Sequence, residues 1–523
     1  MRRALLLIIL LLAAPLAAAP NPQDPHLFLL RDALALGIAR NFNLRVDELD
    51  VPSRRHDVTA AAAAFDPALE STFYTREAEV LSGAVLYEDA YQYNQETGAD
   101  LSLRKRFKVG LRSRLTFRSS RLKENSLVDS LNPEYQNFLV LNLTQPLLRD
   151  FGSQINTSQL QISENQVEAA LYDYLDQVQE TAARIEKAYF DLAQAQAIRA
   201  LRSQSQTLAR ELLAANRRRL KQGVIAISEV QQAETALAAR DEDVIVARQQ
   251  VEMESNRLKD LLEIRAGDPL HAVPLATEPL PAVDIAYPAQ EEALALALKQ
   301  RLDLQRLYLT VENQKIRLAF SQNQKLPRLD LGATFGINGL SGEDRPVNLF
   351  GHQQTSPHTG DYGDAYASMV EDEGYQWALD LKLTYPLGNR AARARSAKLG
   401  IEKRQLLYRV KRLEGGIETA VNNSLVTVQR SLERLQVARR FENLAQTTLE
   451  QEMTRLKEGL SDTFRILNFQ EDLVLAHLKR VKAATDFHQG LARLYREMGG
   501  NLERYGIIGA VDGPMVGEAL PAP

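Results

Sequence analysis

The chain of 523 residues contains no cysteine. That excludes a disulfide framework, a thiolate nucleophile and thiolate-bound zinc, and it suits a protein exported to an oxidising compartment. A surplus of charge is also missing. The 63 Lys and Arg nearly balance the 67 Asp and Glu, for a net charge of −4. A chain that neutralises phosphates needs a basic excess, so no nucleic-acid partner is expected. After the N-terminal segment no apolar run reaches 18 residues, which excludes a membrane-spanning helix. There is no phosphate loop, no paired-histidine zinc motif and no nucleophile elbow. The many carboxylates lie beside Lys and Arg on helix faces, as solvated i,i+4 pairs. His352 and His358 fall in a polar loop and read as solvated residues, not metal ligands. Neither an enzyme nor a cofactor is indicated.

Proline is absent from 147–268 and from 387–513. Between Gly152 and Gly223, seventy consecutive residues contain neither glycine nor proline, enough for a helix of about 105 Å at roughly 1.5 Å per residue. Val167, Leu171, Tyr174, Val178, Ala182, Ile185, Tyr189 and Leu192 form an apolar seam with gaps of mostly three and four. This is the spacing of helix-on-helix packing in a coiled coil. The second stretch resembles the first, with a bend expected at Gly415-Gly416, because a glycine inside a helix costs about 1 kcal/mol against alanine. The stretch 267–290 carries five prolines and reads as an irregular connector.

The N-terminus has Arg2 and Arg3, an apolar run to about Leu12 and small residues at Ala17, Ala18 and Ala19, the pattern of a secretory signal peptide over 1–19. An exported chain without an apolar helix can enter a membrane only through β-strands. The two halves also repeat one another. "LNLTQPL" from Leu141 matches "LKLTYPL" from Leu381, and "RLKQGVIAISEV" from Arg219 matches "RLKEGLSDTFRI" from Arg455. The expected organisation is a first repeat over 20–266, with strands in 68–145 and a long helical hairpin tipped near 223. The connector comes next, then a second repeat over 291–504, with strands in 328–386 and a hairpin tipped near 459. A flexible tail over 505–523 completes it.

From Tyr375 to Tyr385 the sequence alternates strictly, with Tyr375, Trp377, Leu379, Leu381, Leu383 and Tyr385 on one face. Eleven residues match a tilted membrane strand, and Tyr375, Trp377 and Tyr385 suit interfacial girdles. A half-buried strand of a soluble sandwich alternates in the same way. Rising partners start after Pro67 and Pro327, and the long polar segment after Phe335 reads as an exposed loop. An insertion in the first half, Leu101 to Arg118, reads as an extra hairpin turning near Val109-Gly110. Its basic strip of Arg104, Arg106, Arg112 and Arg114 would favour anionic cargo if the hairpin joins the barrel and lines a lumen, rather than packing above or inside it. The chain therefore supplies four or six strands, too few to close a wide barrel, so several copies must share one.

"FDPALE" (Phe65 to Glu70), "LNLTQPLLRDFG" from Leu141, "AYFDLAQAQ" (Ala188 to Gln196) and "RLKQGVIAISEVQQAE" occur in that order in a doubled chain. Together they resemble the TolC family of outer-membrane factors. The resemblance implies a mixed α and β membrane protein, a homotrimer whose shared β-barrel meets outer-membrane lipid and continues as a periplasmic α-helical barrel. It implies an exit duct for small toxic compounds or, in type I secretion, for polypeptides, working with a periplasmic adaptor and an inner-membrane transporter. Carried over by position, the adaptor would meet Leu220, Gly223, Val224, Ile225 and Ala226 in the first copy and Leu456, Gly459, Leu460 and Ser461 in the second. The family often narrows its closed tip with acidic residues six and nine positions after the second glycine. Here Arg465 and Asn468 stand there, while the first copy keeps Glu229. The expectation is a gate in which Arg465 pairs with Glu229 or Asp462 of a neighbouring hairpin. A periplasmic coiled-coil adaptor or structural envelope protein without a barrel is the rival reading.

Overall fold

A chain without glycine or proline over tens of residues has little to interrupt a helix, and in the computed structural model the helices run almost as long as those gaps. The structure describes residues 26–83, 91–281, 286–349, 352–371 and 374–506. The expected signal peptide, and the tail beyond residue 506, lie outside them. Five helices position the functional residues: α1 (Ser158–Lys221), α2 (Ile227–Leu261), α3 (Tyr362–Val370), α4 (Arg390–Lys457) and α5 (Thr463–Met498). Six strands form one sheet: β1 (Ala68–Leu81), β2 (Tyr91–Arg106), β3 (Arg112–Glu124), β4 (Leu131–Pro146), β5 (Arg328–Asp344) and β6 (Gly374–Thr384). Two compact units divide the chain. One comprises the described parts of Met1–Asp50, Ala170–Arg306 and Val410–Pro523; the other comprises Val51–Ala169 and Leu307–Arg409.

In the first unit the α1 seam does what its spacing indicates. Val178, Ala182, Ile185, Tyr189 and Leu192 are buried in a core with Leu34, Leu258, Leu262 and Leu275, and Tyr174 packs at its margin. The connector is less irregular than five prolines suggest. Leu275–Thr277 pairs in parallel with His26–Phe28, and α1 holds both strands. The Tyr189 hydroxyl donates to the Phe28 carbonyl at 2.8 Å, and the Gln196 amide donates to the Leu275 carbonyl at 2.8 Å. Side chains of α1 thus supply partners that proline-rich backbone cannot supply for itself.

Helix α4 runs unbroken through Gly415 and Gly416, so the two glycines do not interrupt it. Val410, Ile417 and Val421 are buried on either side of the pair. Packing of this stripe outweighs the roughly 1 kcal/mol that each glycine costs.

A carboxylic acid is buried beside the end of the described chain. Glu186 accepts a hydrogen bond from the Tyr505 hydroxyl, and Arg504 Nη1 lies 3.5 Å from its carboxylate. Burial outweighs both and pushes the Glu186 pKa up from 4.5 to about 7. The folded chain therefore holds this proton more tightly than the unfolded one. The resulting stabilisation is complete below pH 4.5 and is lost as the pH rises through about 7, a difference of roughly 3 kcal/mol. Glu186→Gln is expected to remove this slope, measured as the change in melting temperature between pH 5 and pH 8 relative to the unsubstituted protein.

The second unit is built on the sheet, in the order β6-β5-β4-β3-β2-β1 with every neighbour antiparallel. The extra hairpin, β2 with β3, joins the sheet, so the chain supplies six strands. The hairpin turns where expected, through Gly110 at φ +99°. Apart from a shift between Leu131 and Glu134, register keeps residue parity across the sheet. Trp377 stands opposite Phe335, Phe335 opposite Leu141, Leu141 opposite Leu115, Leu115 opposite Leu103 and Leu103 opposite Leu69. Odd-numbered residues share one face and even-numbered residues the other, because side chains alternate with a period of two. The odd face is apolar through its middle, and the even face is polar.

The long polar segment after Phe335 holds a helix that alternation could not reveal. Asp361 caps α3, accepting from the backbone N–H groups of Gly363 and Asp364, while the Asp364 carboxylate accepts from the Asp361 backbone N–H. This reciprocal cap starts a helix whose tyrosines lie on the odd face. The Tyr362 ring meets Tyr135 at 5.0 Å and the Tyr366 ring meets Phe117 at 6.0 Å. Beyond Asn338 strand β6 has ended, and Ser368 of α3 bonds both the N–H and the carbonyl of Leu340. His352 is exposed and His358 half-buried in the same segment.

Candidate functional site: hairpin tips and the two-faced sheet

Both tip glycines adopt the left-handed conformation, Gly223 at φ +72° and Gly459 at φ +76°, which a side chain disfavours. The backbone bonding is the same in each. Gly223 N–H donates to Leu220 and Val224 N–H to Arg219, at 2.9 and 3.0 Å. Gly459 N–H donates to Leu456 and Leu460 N–H to Arg455, at 3.2 and 2.8 Å. Each is the double bond that closes a helix C-terminus around a glycine, and the next helix, α2 or α5, begins four residues later. Leu220 and Ile225 pack inward on Leu213, Val230 and Ala233, whereas Val224, Ala226 and Leu460 are exposed. Leu456 and Ser461 are half-buried. A groove of 610 Å³ runs between the first tip and the second hairpin, lined by Leu212, Asn216, Val224, Met453, Leu456 and Ile466 among others.

The gate candidates take up different roles. Glu229 is engaged by the second hairpin: the Thr463 hydroxyl donates to its carboxylate at 2.7 Å. The buried Asn216 amide donates to that Thr463 hydroxyl at 2.9 Å and to the Glu229 carbonyl at 3.3 Å. Thr463 and Asn216 are wholly buried. Sequence reasoning singles out neither; a lone Asn and a lone Thr in long helices carry no signal until the hairpins are placed side by side. Asp462 caps α5, accepting from the Arg465 backbone N–H at 2.9 Å. Within this chain Arg465 does not pair with Glu229. Its guanidinium lies 3.9 Å from Asp462 and 3.9 Å from Glu452 of its own hairpin, and Glu452 also accepts from Ser461 at 2.6 Å. Asn468 is exposed.

On the sheet, the expected aromatics lie where alternation puts them. Tyr375 and Trp377 project from the apolar face, and Tyr385 comes just after β6 at the end where the strands lead into helices. Arg104, Arg106, Arg112 and Arg114 all occupy the even, polar face. The strip is partly neutralised there. Arg104 pairs with Glu70 at 2.7 Å, Arg112 lies 3.9 Å from Asp330, and Arg106 donates to Asn156 at 2.8 Å. No helix of the described residues is long and apolar enough to cross a membrane. No group of three or more possible metal ligands occurs among the described residues.

Two long hairpins closed by matching glycine turns, and a sheet with one apolar and one polar face, define a membrane channel class. Comparison with known proteins makes it specific: residues 33–262 and 293–500 match the outer membrane efflux protein family, and the chain belongs to it. It is an outer-membrane efflux channel, a transport duct and not an enzyme. The fold is similar to the outer-membrane channel OprN, at 18% identity and a TM-score of 0.62, covering 90% of each chain. It is similar to the outer membrane protein VceC from Vibrio cholerae, at 14% identity and TM-score 0.60, covering 90% of this chain and 96% of that one. The open-state MtrE channel of Neisseria gonorrhoeae matches at 15% identity and TM-score 0.59, covering 90% and 89%. No curated protein sequence gives a match.

Proposed function

We propose that the chain is one third of a homotrimeric exit duct. Three copies would share an eighteen-stranded barrel in the outer membrane, and their long helical hairpins would form a periplasmic tube. The observation that carries this reading is the parity-matched sheet. Its apolar face suits lipid and its polar face suits water, yet β1 and β6 each present an edge unpaired among the described residues. An open edge within a bilayer leaves backbone N–H and C=O groups unsatisfied at several kcal/mol each, so the edges require other copies of the chain. Six strands cannot enclose a passage, whereas barrels of sixteen to eighteen strands hold an aqueous channel. The doubled plan would then present six hairpin tips to a periplasmic adaptor, and through it to an inner-membrane transporter, with the tip residues around Gly223 and Gly459 as the docking surface.

The rival periplasmic adaptor leaves the apolar sheet face without a role, and family membership decides against it. The test is fractionation. The protein is expected in the outer membrane, released only by detergent, as a species of three chains that survives SDS without heating. Release by salt as a smaller species would overturn the reading.

A further inference from the structure

The even face of the sheet is electrically polarised along the strands. Its eight basic and eight acidic strand residues balance overall, but they are segregated by register. At the end where the strands lead into helices stand Arg104, Arg106, Arg112, Arg114, Arg328 and Lys382, against Asp330 and Asp380. Toward the opposite rim stand Glu96, Glu124, Glu134 and Asp344, against Arg76. Between them lie Glu70, Asp100 and Arg118, the last two joined at 2.8 Å.

The basic end is hollow. A cavity of 780 Å³ is lined by all six of these cations. Four are committed: Arg104 to Glu70, Arg328 and Arg112 to the shared Asp330, and Arg106 to Asn156. Arg114 and Lys382 are exposed, and neither has an ion-pair partner among the described residues. Register puts Arg114 directly opposite Arg104, a like-charge pairing that is destabilising unless something negative lies over it. Glu70 answers the charge of Arg104, which leaves that of Arg114 for a solute to answer.

We propose that this basic girdle binds carboxylate- or phosphate-bearing solutes and makes the duct prefer anions, with Arg114 and Lys382 as its free cations. This rests on the duct reading, which places the even face toward the lumen. Each chain contributes four net positive charges at the helical end, six cations against Asp330 and Asp380. Salt screening over about 8 Å confines their influence to solutes passing close to the wall, so the girdle acts as a local binding zone with a moderate effect on ion flow.

The full-length protein, reconstituted in planar bilayers under a tenfold potassium chloride gradient, is expected to show a reversal potential of the sign that marks chloride preference. Citrate added on the helical side is expected to block at lower concentration than citrate on the other side. Arg114→Glu with Lys382→Glu cancels the girdle and leaves the acidic rim dominant, so the sign should reverse and the asymmetry of block should vanish. Arg114→Gln with Lys382→Gln, which removes the charges without adding new ones, should bring selectivity about halfway to that point. Potassium preference in the unsubstituted channel, or an unchanged reversal potential in both variants, would overturn the girdle while leaving the duct intact. Failure of the unsubstituted protein to form any channel would overturn the duct reading and the girdle with it.

Discussion

Replacing Gly223 and Gly459 together by aspartate is expected to leave the channel assembled in the outer membrane and to abolish export. The structure separates the two effects. At both glycines an added Cβ meets no atom within 4 Å, so the substitution causes no clash. The remaining cost is the left-handed backbone, about 1–2 kcal/mol for an L-residue and less for Asp, which tolerates this region. Each turn also keeps its two backbone hydrogen bonds. What changes is the surface offered at the tips, where Val224 and Leu460 stand exposed. A carboxylate at the centre of an apolar contact costs roughly 2–4 kcal/mol of binding when that site is a hot spot, and the six tips of the proposed trimer would multiply the effect. Drug or dye efflux from intact cells, measured beside the SDS-resistant trimer band, checks the result. Normal efflux with both aspartates in place would remove the tips from the docking surface.

The other large effect separates two neighbouring residues. Leu141→Arg is expected to prevent assembly in the membrane, while Val140→Arg is expected to be tolerated. Composition gives no reason for the difference, since both are apolar residues within the single strand β4. Parity gives one. Leu141 lies in the row from Trp377 to Leu69 on the apolar face. Val140 lies on the even face between Thr116 and Gly336. An arginine facing lipid near mid-bilayer costs about 2–4 kcal/mol, roughly threefold more when repeated in three chains. An arginine on the even face extends into water. The yield of heat-modifiable trimer in outer-membrane fractions reads both outcomes. Equal yields would place the sheet faces the other way or outside lipid.

The sequence is most readable where a single periodicity persists. Tyr375 to Tyr385 alternates without a break, and its strand, β6, spans Gly374–Thr384. Helix α1 comes from an absence, since nothing between Gly152 and Gly223 could stop it. Legibility fails where the environment supplies the order. The first part of β2, "YQYNQETGAD", has no apolar face, because toward that rim the sheet leaves the apolar belt and both faces become polar. Helix α3 hides in a segment that reads as loop; its one local sign is the Asp361 to Asp364 spacing of its cap. At Gly415-Gly416 a local cost is visible in the sequence and the buried stripe that offsets it is not. Among the site residues, the tips are marked by glycine, whose conformational role is local. The Asn216, Thr463 and Glu229 contact joins residues more than two hundred positions apart and cannot be seen before the chain is folded.

That contact has a mechanical consequence. Two hairpins of one chain are tied through the buried Thr463 hydroxyl, and parting them exchanges each of these hydrogen bonds for one to water at a net cost of about 0.5–1.5 kcal/mol. They are further joined by Arg240 of the first hairpin and Glu471 of the second. A trimer so built has six tips but three jaws. Its mouth would widen by separation between chains, in steps of two hairpins at a time, and a partner that pries at one tip would carry the other with it.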